Sequence, residues 1–436
     1  MQNHKNNLDI FLNLNVRGLS QSATLLINER SQQLEAEDKH IYRLGLGQSP
    51  FPVPQPVVES LKNNAHQKSY LPVKGLPELR EAVAGYHHRF QGIECAADDV
   101  MIGPGSKELM FLLQLIYYGD LVIPTPSWVS YAPQAHIIGR HVQWLPTRSK
   151  DHWRLTAEAL QIVCEKDPGR PRIVILNYPA NPTGRTYSIT ELEKLAEVAQ
   201  ENQVILLADE IYAELHHDGQ HCSIAKFYPE GTIISSGLSK WCGAGGWRLG
   251  TFVFPENLRK LLNALSAVAS ETYTSTSAPI QYAAVRAFQG GIFIERYLWN
   301  TRRILKALGN YLVNRLKSAG IDVPTPQGAF YLFPDFKKYR KKLAHKKIKT
   351  SRDLCEKLLM EAGVAILPGE VFGRPPEELT ARLSYVDFDG ARALAAAEQI
   401  PPHEPLSEDF LKQYCGHTIE AVHKICEWLE CKKGRG

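Results

Sequence analysis

No apolar run in this sequence approaches the ~20 residues that a membrane span requires. The first residues carry no basic start followed by an apolar stretch, so neither a bilayer-spanning protein nor a secreted precursor is expected, and the cytoplasm is the default location. Strong charge is missing as well. Lysine and arginine (50) barely outnumber aspartate and glutamate (46), and a net charge of +4 exerts no general pull on a polyanion. There is no internal repeat and no CxxC pair. The eight cysteines are scattered, which favours structural thiols in a reducing compartment over disulfides. What is present is ordinary globular material. The chain has 436 residues, 44% hydrophobic and 22% charged, enough for two or three domains.

Between about Leu61 and Phe254, short β-rich apolar runs alternate with helix-like segments. Leu121–Ile123, Arg172–Leu176, Val204–Ala208, Thr232–Ile234 and Thr251–Phe254 read as strands buried on both faces, and Leu192–Ala199 has helical spacing between two of them. This pattern predicts an α/β domain around a mostly parallel sheet. Beyond Leu258 come long amphipathic stretches, Leu258–Ser270 and Ala278–Ser318. A smaller α+β region follows, with strands expected at Gly328–Phe333, Val364–Leu367 and Ala381–Tyr385. The expected division is an N-terminal segment 1–55 belonging to the small domain, a large domain 56–300, and a C-terminal part of the small domain 301–436. The proline-rich Ser49–Pro56 reads as an extended connector.

In a parallel sheet, ligands gather at the carboxyl ends of the strands. Three such ends carry unusual residues: Asn177 to Gly184 with its Asn181-Pro-Thr-Gly184, then Asp209-Glu-Ile-Tyr212, then Ser235 to Lys240 in a run poor in side chains. Singly these read as a turn, a helix cap and a surface charge. Together they bring an amide, a buried acid, a phenol and an amine to one space beside glycine-rich backbone, an outfit suited to a bound aromatic aldehyde.

Five stretches in register identify a resemblance: Tyr70-Leu-Pro-Val-Lys-Gly-Leu-Pro-Glu-Leu-Arg80, Asn181-Pro-Thr-Gly184, Asp209-Glu-Ile-Tyr212, Ser239-Lys240 followed by Gly246-Trp-Arg-Leu-Gly250, and Arg382-Leu-Ser384. The chain resembles a class I/II aminotransferase, a fold-type I enzyme dependent on pyridoxal 5'-phosphate, from about Val16 to Leu429. The resemblance implies a large domain around a mostly parallel seven-stranded sheet and a smaller α+β domain built from both chain ends. It implies Lys240 as the residue that holds the cofactor as a Schiff base and shuttles the proton. It also implies Asp209 as partner of the pyridine nitrogen, and Tyr212 and Asn181 as hydrogen-bond partners of the ring's phenolic oxygen. The phosphate would fall to Ser239, Arg248 and the backbone amides around Gly105, Ser106 and Lys107, where a glycine turn enters a helix. The Gly-x-Gly there lacks the third glycine of a dinucleotide fingerprint, which argues against a dehydrogenase. Trp128 resembles the aromatic that stacks on the ring, and Tyr70 the tyrosine that reaches the phosphate of a neighbouring subunit, which implies a homodimer with residues 274–277 near its interface. Arg382 would clasp the substrate α-carboxylate, with Gly47 and Asn181 beside it.

Some features depart from that pattern or stand outside it. Gly237 occupies a position where some relatives carry serine. The stretch Val268–Thr274 offers no cation for a dicarboxylic substrate, so aspartate, aromatic and neutral donors all stay open. His216-His-Asp-Gly-Gln-His-Cys222 lacks a metal-ligand spacing and reads as a polar loop, so no metal is expected. The basic run Lys337–Lys349 has one aromatic and no binding motif, so it reads as a solvated surface and not as a nucleic-acid site. The long stretch from Asp387 to about Gln413 reads as surface decoration. The expected activity is transfer of an amino group from an L-amino acid to a 2-oxo acid with ping-pong kinetics. Its rivals are a lyase on the same fold and a non-catalytic binding or regulatory protein.

Overall fold

The computed structural model describes residues 10–430, so the polar tips Met1–Asn7 and Cys431–Gly436 lie outside the described residues. Twelve strands are named here in chain order: β1 Tyr42–Arg43, β2 Val100–Gly103, β3 Asp120–Thr125, β4 Val142–Pro146, β5 Arg172–Asn177, β6 Ile205–Asp209, β7 Thr232–Gly237, β8 Gly250–Val253, β9 Tyr331–Leu332, β10 Val364–Ala365, β11 Leu367–Pro368 and β12 Ala381–Ser384. Seven form one sheet in the order β2-β8-β7-β6-β5-β3-β4. Only β8 runs against its neighbours, pairing antiparallel with β7 and β2, while the remaining pairs are parallel. The central strands are buried along almost their whole length, as continuous runs of Ile, Leu and Val require when helices cover both faces.

The smaller region is assembled from distant segments. β1 pairs in parallel with β10, joining the two ends of the chain, and β11, β12 and β9 form an antiparallel sheet in that order. The register Ser384↔Tyr331 and Leu383↔Leu332 ties β12 to β9. The helices Ile292–Ser318 and Glu408–Glu430 pack together over this region and bury Leu305, Leu308, Leu312, Val422 and Ile425.

Several expected boundaries change. The stretch Ala278–Ser318 is two helices, Ala278–Gln289 and Ile292–Ser318, because Gly290 (φ +71°) and Gly291 (φ +109°) leave helical conformation. The second of these helices runs through residue 300. The connector ends at Pro54, since a helix starts at Gln55 with Pro56 in its first turn, where a missing N–H costs no hydrogen bond. Val364–Leu367 divides between two sheets at Ile366, and only Tyr331–Leu332 of Gly328–Phe333 is strand.

The histidine-rich loop is less polar than its composition suggests. His216 and His217 are buried, His217 meets the Ala329 carbonyl through Nε2 at 3.1 Å, and His221 meets Glu210 at 2.9 Å. The stretch after Asp387 contributes the helix Gly390–Ala397, whose Ala393 and Ala397 are buried, so it is part of the core and more than decoration. Residues 402–406 line a separate cavity of 730 Å³ with the helix Ile292–Ser318.

Candidate active site

β5, β6 and β7 end side by side, and their carboxyl ends place Asn177, Asp209 and the Ser239–Lys240 turn around a cavity of 560 Å³. A cavity of that size suits a small-molecule ligand. Gly47, Gln48, Ser106, Lys107, Trp128, Asn181, Ile211, Tyr212, Gly245, Gly246 and Arg248 also line it. Among the described residues Asp209 is the one carboxylate on a wall that holds Lys107, Lys240 and Arg248, so the space is electropositive and suited to an anion.

Asp209 is 4% exposed, and its Oδ2 accepts a hydrogen bond from the Tyr131 hydroxyl at 2.5 Å. Ser235 donates to Oδ1 at 3.4 Å. Burial outweighs these donors and pushes the Asp209 carboxyl up to about 6. Lys240 Nζ donates to the Gly47 carbonyl at 2.6 Å and sits 5.7 Å from the centre of the Tyr212 ring. Burial, reinforced by Arg382, lowers the Lys240 amine to about 8. An acid that resists ionisation and an amine that loses its proton easily thus share one cavity.

One end of the wall joins backbone at a helix start with one guanidinium. Gly105 caps the helix Ser106–Ile116 at φ +92°, and the first amides of that helix have no intrahelical partners. A side chain at Gly105 would collide with Arg248, whose guanidinium donates to the carbonyls of Gly245 at 3.0 Å and Pro104 at 3.3 Å. Lys107 holds Nζ 5.2 Å from the centre of the Trp128 ring and makes no ion pair among the described residues. Ser239 completes this end of the wall.

Behind Asn181, Arg382 is 1% exposed. It donates to Asn181 Oδ1 at 3.1 Å and to the Gly45 carbonyl, and its guanidinium lies 4.8 Å from the centre of the Tyr331 ring. Its Nε is buried without a partner, an orphaned donor next to the cavity wall.

Every sequence-predicted site residue except Gly105, Tyr70 and Arg382 lines the cavity itself. Gly105 borders it through Arg248, and Arg382 lies one residue behind Asn181. Tyr70 is 90% exposed and is not on the wall. Sequence reasoning missed Tyr131, Ser235 and Tyr331. Tyr131 stands just beyond Trp128 in the segment that follows a strand, and that place was the available signal; Tyr331 carried none.

A lysine, an acid and a phenol at adjacent strand ends, beside a helix amino terminus and a buried arginine, form an arrangement suited to a carbonyl cofactor and to work on amino groups. Comparison with known proteins agrees. The family model "Aminotransferase class I and II" matches residues 39–397, and the chain belongs to that family, whose members are generally dependent on pyridoxal phosphate. An aspartate aminotransferase of Geobacillus stearothermophilus is 34% identical over 381 residues, covering 85% of this chain and 93% of the relative. An asparagine–oxo-acid transaminase of Streptococcus mutans is 29% identical over 390 residues, covering 86% and 94%. Among solved structures, the aspartate aminotransferase from Thermus thermophilus with maleate superposes with a TM-score of 0.82 at 25% identity, covering 96% of this chain and 100% of that one.

Proposed function

We propose that this aminotransferase moves the amino group of an L-amino acid to a 2-oxo acid in two half-reactions at the 560 Å³ cavity, with pyridoxal phosphate held by Lys240. The observation that carries the reading is the convergence of Lys240, Asp209 and Tyr212 on one cavity whose far end offers free backbone amides and Arg248. The residues fit the cofactor. A buried, unpaired carboxylate is costly unless a cation faces it, and Asp209 supplies that carboxylate for a protonated ring nitrogen. When bound, the cofactor contributes an aldehyde that condenses with amines and a pyridinium ring that withdraws electrons from the carbon being activated.

The chain's own residues then divide the work. Lys240, with its amine lowered to about 8, is able to take a proton from the substrate Cα and return it at neutral pH. Asp209 would face the ring nitrogen and keep it protonated, Tyr212 and Asn181 would donate to the phenolic oxygen, and Trp128 would stack against the ring. The helix Ser106–Ile116, Ser239 and Arg248 hold the phosphate. Arg382, with an unspent Nε–H, takes the α-carboxylate between Gly47 and Asn181.

Lys107 suits a donor with a second carboxylate, since it faces the cavity without a counter-ion, and relatives named aspartate aminotransferase support a dicarboxylic donor. Tyr70, fully outside its own cavity, serves the site of a second subunit in a homodimer.

The test is a visible spectrum of the protein reconstituted with pyridoxal phosphate while amino acids are added singly. A band that bleaches with aspartate and returns with a 2-oxo acid is expected. A protein that acquires no band, or that consumes the amino acid without needing an oxo acid, overturns the reading.

A further inference from the structure

The Tyr212 hydroxyl, on which the proposed function relies, is bonded to a second phenol. Tyr212 Oη and Tyr331 Oη lie 2.6 Å apart, both side chains are buried, and the rings meet edge to face at 83° with centroids 5.5 Å apart. Tyr331 is held from three sides. Its backbone is in register with Ser384 across the β9–β12 pair, so it rides beside the strand that carries Arg382. The Arg382 guanidinium covers its ring at 4.8 Å. Gly47 abuts its hydroxyl so closely that any side chain there would displace it.

A cation over a phenol ring favours loss of the phenolic proton and makes that hydroxyl the stronger donor of a pair. The 2.6 Å pair admits either donor, and the cation over the Tyr331 ring selects the arrangement in which Tyr331 donates to the Tyr212 oxygen and the Tyr212 proton turns toward the cavity. Donation along the chain is mutually strengthening, because each bond polarises the next. The same Arg382 is the group proposed to meet the substrate carboxylate. Neutralising it by that carboxylate weakens the pull on Tyr331 and, through it, the donation by Tyr212.

We propose that Tyr331 is a positioning residue that orients the Tyr212 hydroxyl into the cavity and links the Arg382 carboxylate clamp to the phenolic oxygen of the cofactor. The inference rests on the cofactor reading given above and adds a residue to it. Tyr331 touches neither substrate nor cofactor; it acts through Tyr212.

The experiment is a pH titration of the visible band of the reconstituted enzyme, in the wild type and in Tyr331→Phe, Tyr212→Phe and the double variant. Tyr331→Phe removes one oxygen and keeps the ring. Its titration midpoint is expected to rise by roughly half a pH unit or more, and that of Tyr212→Phe by more. The double variant should match Tyr212→Phe alone, because the two residues act as one unit. A wild-type midpoint in Tyr331→Phe, or a double-variant shift equal to the sum of the single shifts, overturns the proposal. Failure of the underlying reading is distinguishable, since the wild type would then show no band to titrate.

Discussion

Tyr131 donates its hydroxyl proton to Asp209 Oδ2 at 2.5 Å from the helix after β3, across the sheet end from the strand that carries the acid. The bond orients the carboxylate but does not overcome burial, and the Asp209 carboxyl stays raised to about 6. The fold therefore holds that proton more tightly than the unfolded chain does. The stability linked to it is fully present below the ordinary carboxylate pKa and is lost as pH rises through about 6. A rise of that size is worth about 3 kcal/mol. Cofactor-free Asp209→Asn is accordingly expected to be more stable than the cofactor-free wild type at pH 8, with the gap closing toward pH 4, while its transaminase activity collapses. Urea unfolding across that pH range checks the sign. A variant less stable at pH 8 would contradict the account.

Lys240 gives a second pH signature. Its amine is lowered to about 8 by burial and by Arg382, so it is substantially neutral where an exposed lysine is fully charged. Only the neutral amine is nucleophilic. In the cofactor-free protein, labelling of Lys240 by an amine-reactive ester, followed by mass spectrometry of the modified peptide, should reach half its limiting rate near pH 8 and then level off. Exposed lysines in the same sample should continue to accelerate beyond pH 9. Arg382→Gln removes one of the positive charges depressing the amine, and the Lys240 midpoint should move upward in that variant.

The central architecture was legible because it is written in local pattern. β5 and β6 are centred on the apolar runs Ile173–Leu176 and Ile205–Ala208 and β7 on Ile233–Ile234, and ligands gather where such strands end. The edge strand Val142–Pro146 escaped notice because it lacks a continuous apolar run, only Val142 being buried, and it ends in proline. Val100–Gly103 is four residues long and merges into the glycine turn before the helix Ser106–Ile116. The supporting phenols were hidden for another reason. Tyr131 is 78 residues from Asp209, and Tyr331 is 119 residues from Tyr212, so neither spacing nor periodicity connects them. Lys240 stood out at a strand end in a run poor in side chains and Arg382 through the resemblance, whereas the pairing of Tyr331 with Arg382 emerges only from the β9–β12 register.

Glu210 follows Asp209 in sequence and serves the opposite side of the sheet end. It is 1% exposed and is met by Tyr178 at 3.1 Å, Ser223 at 2.5 Å, Gln91 at 3.1 Å and His221 at 2.9 Å. Burial raises its carboxyl, but His221 and Ser223 oppose that and leave it below the usual range. Its contribution is therefore present above the ordinary carboxylate pKa and fades as pH falls through the lowered value. Glu210→Ala strands these donors and should cost about 3–5 kcal/mol, with a smaller loss for Glu210→Gln. Denaturant midpoints at pH 7 test the order. Below pH 4 the difference between wild type and Glu210→Gln should narrow, and a constant difference would show that charge is not what the four partners recognise.

Lys107 is where donor choice can be separated from general catalysis. It faces the cavity beside Trp128 with no ion pair among the described residues, and it is distinct from Arg382, which is buried behind Asn181. A lysine on the wall and an arginine just behind Asn181 can each hold one carboxylate of a dicarboxylic donor, whereas a neutral donor uses only one of them. Lys107→Met keeps the aliphatic stem against the Trp128 ring and removes the charge. The loss in kcat/KM for aspartate should be about 10- to 100-fold, the value of one charge-assisted hydrogen bond, with little change for alanine or phenylalanine. If the cation served only the phosphate, all donors would fall together and the affinity for pyridoxal phosphate would fall with them. Measuring kcat/KM for the three donors alongside cofactor affinity therefore distinguishes a lysine that reads the substrate side chain from one that merely adds positive potential to the phosphate end.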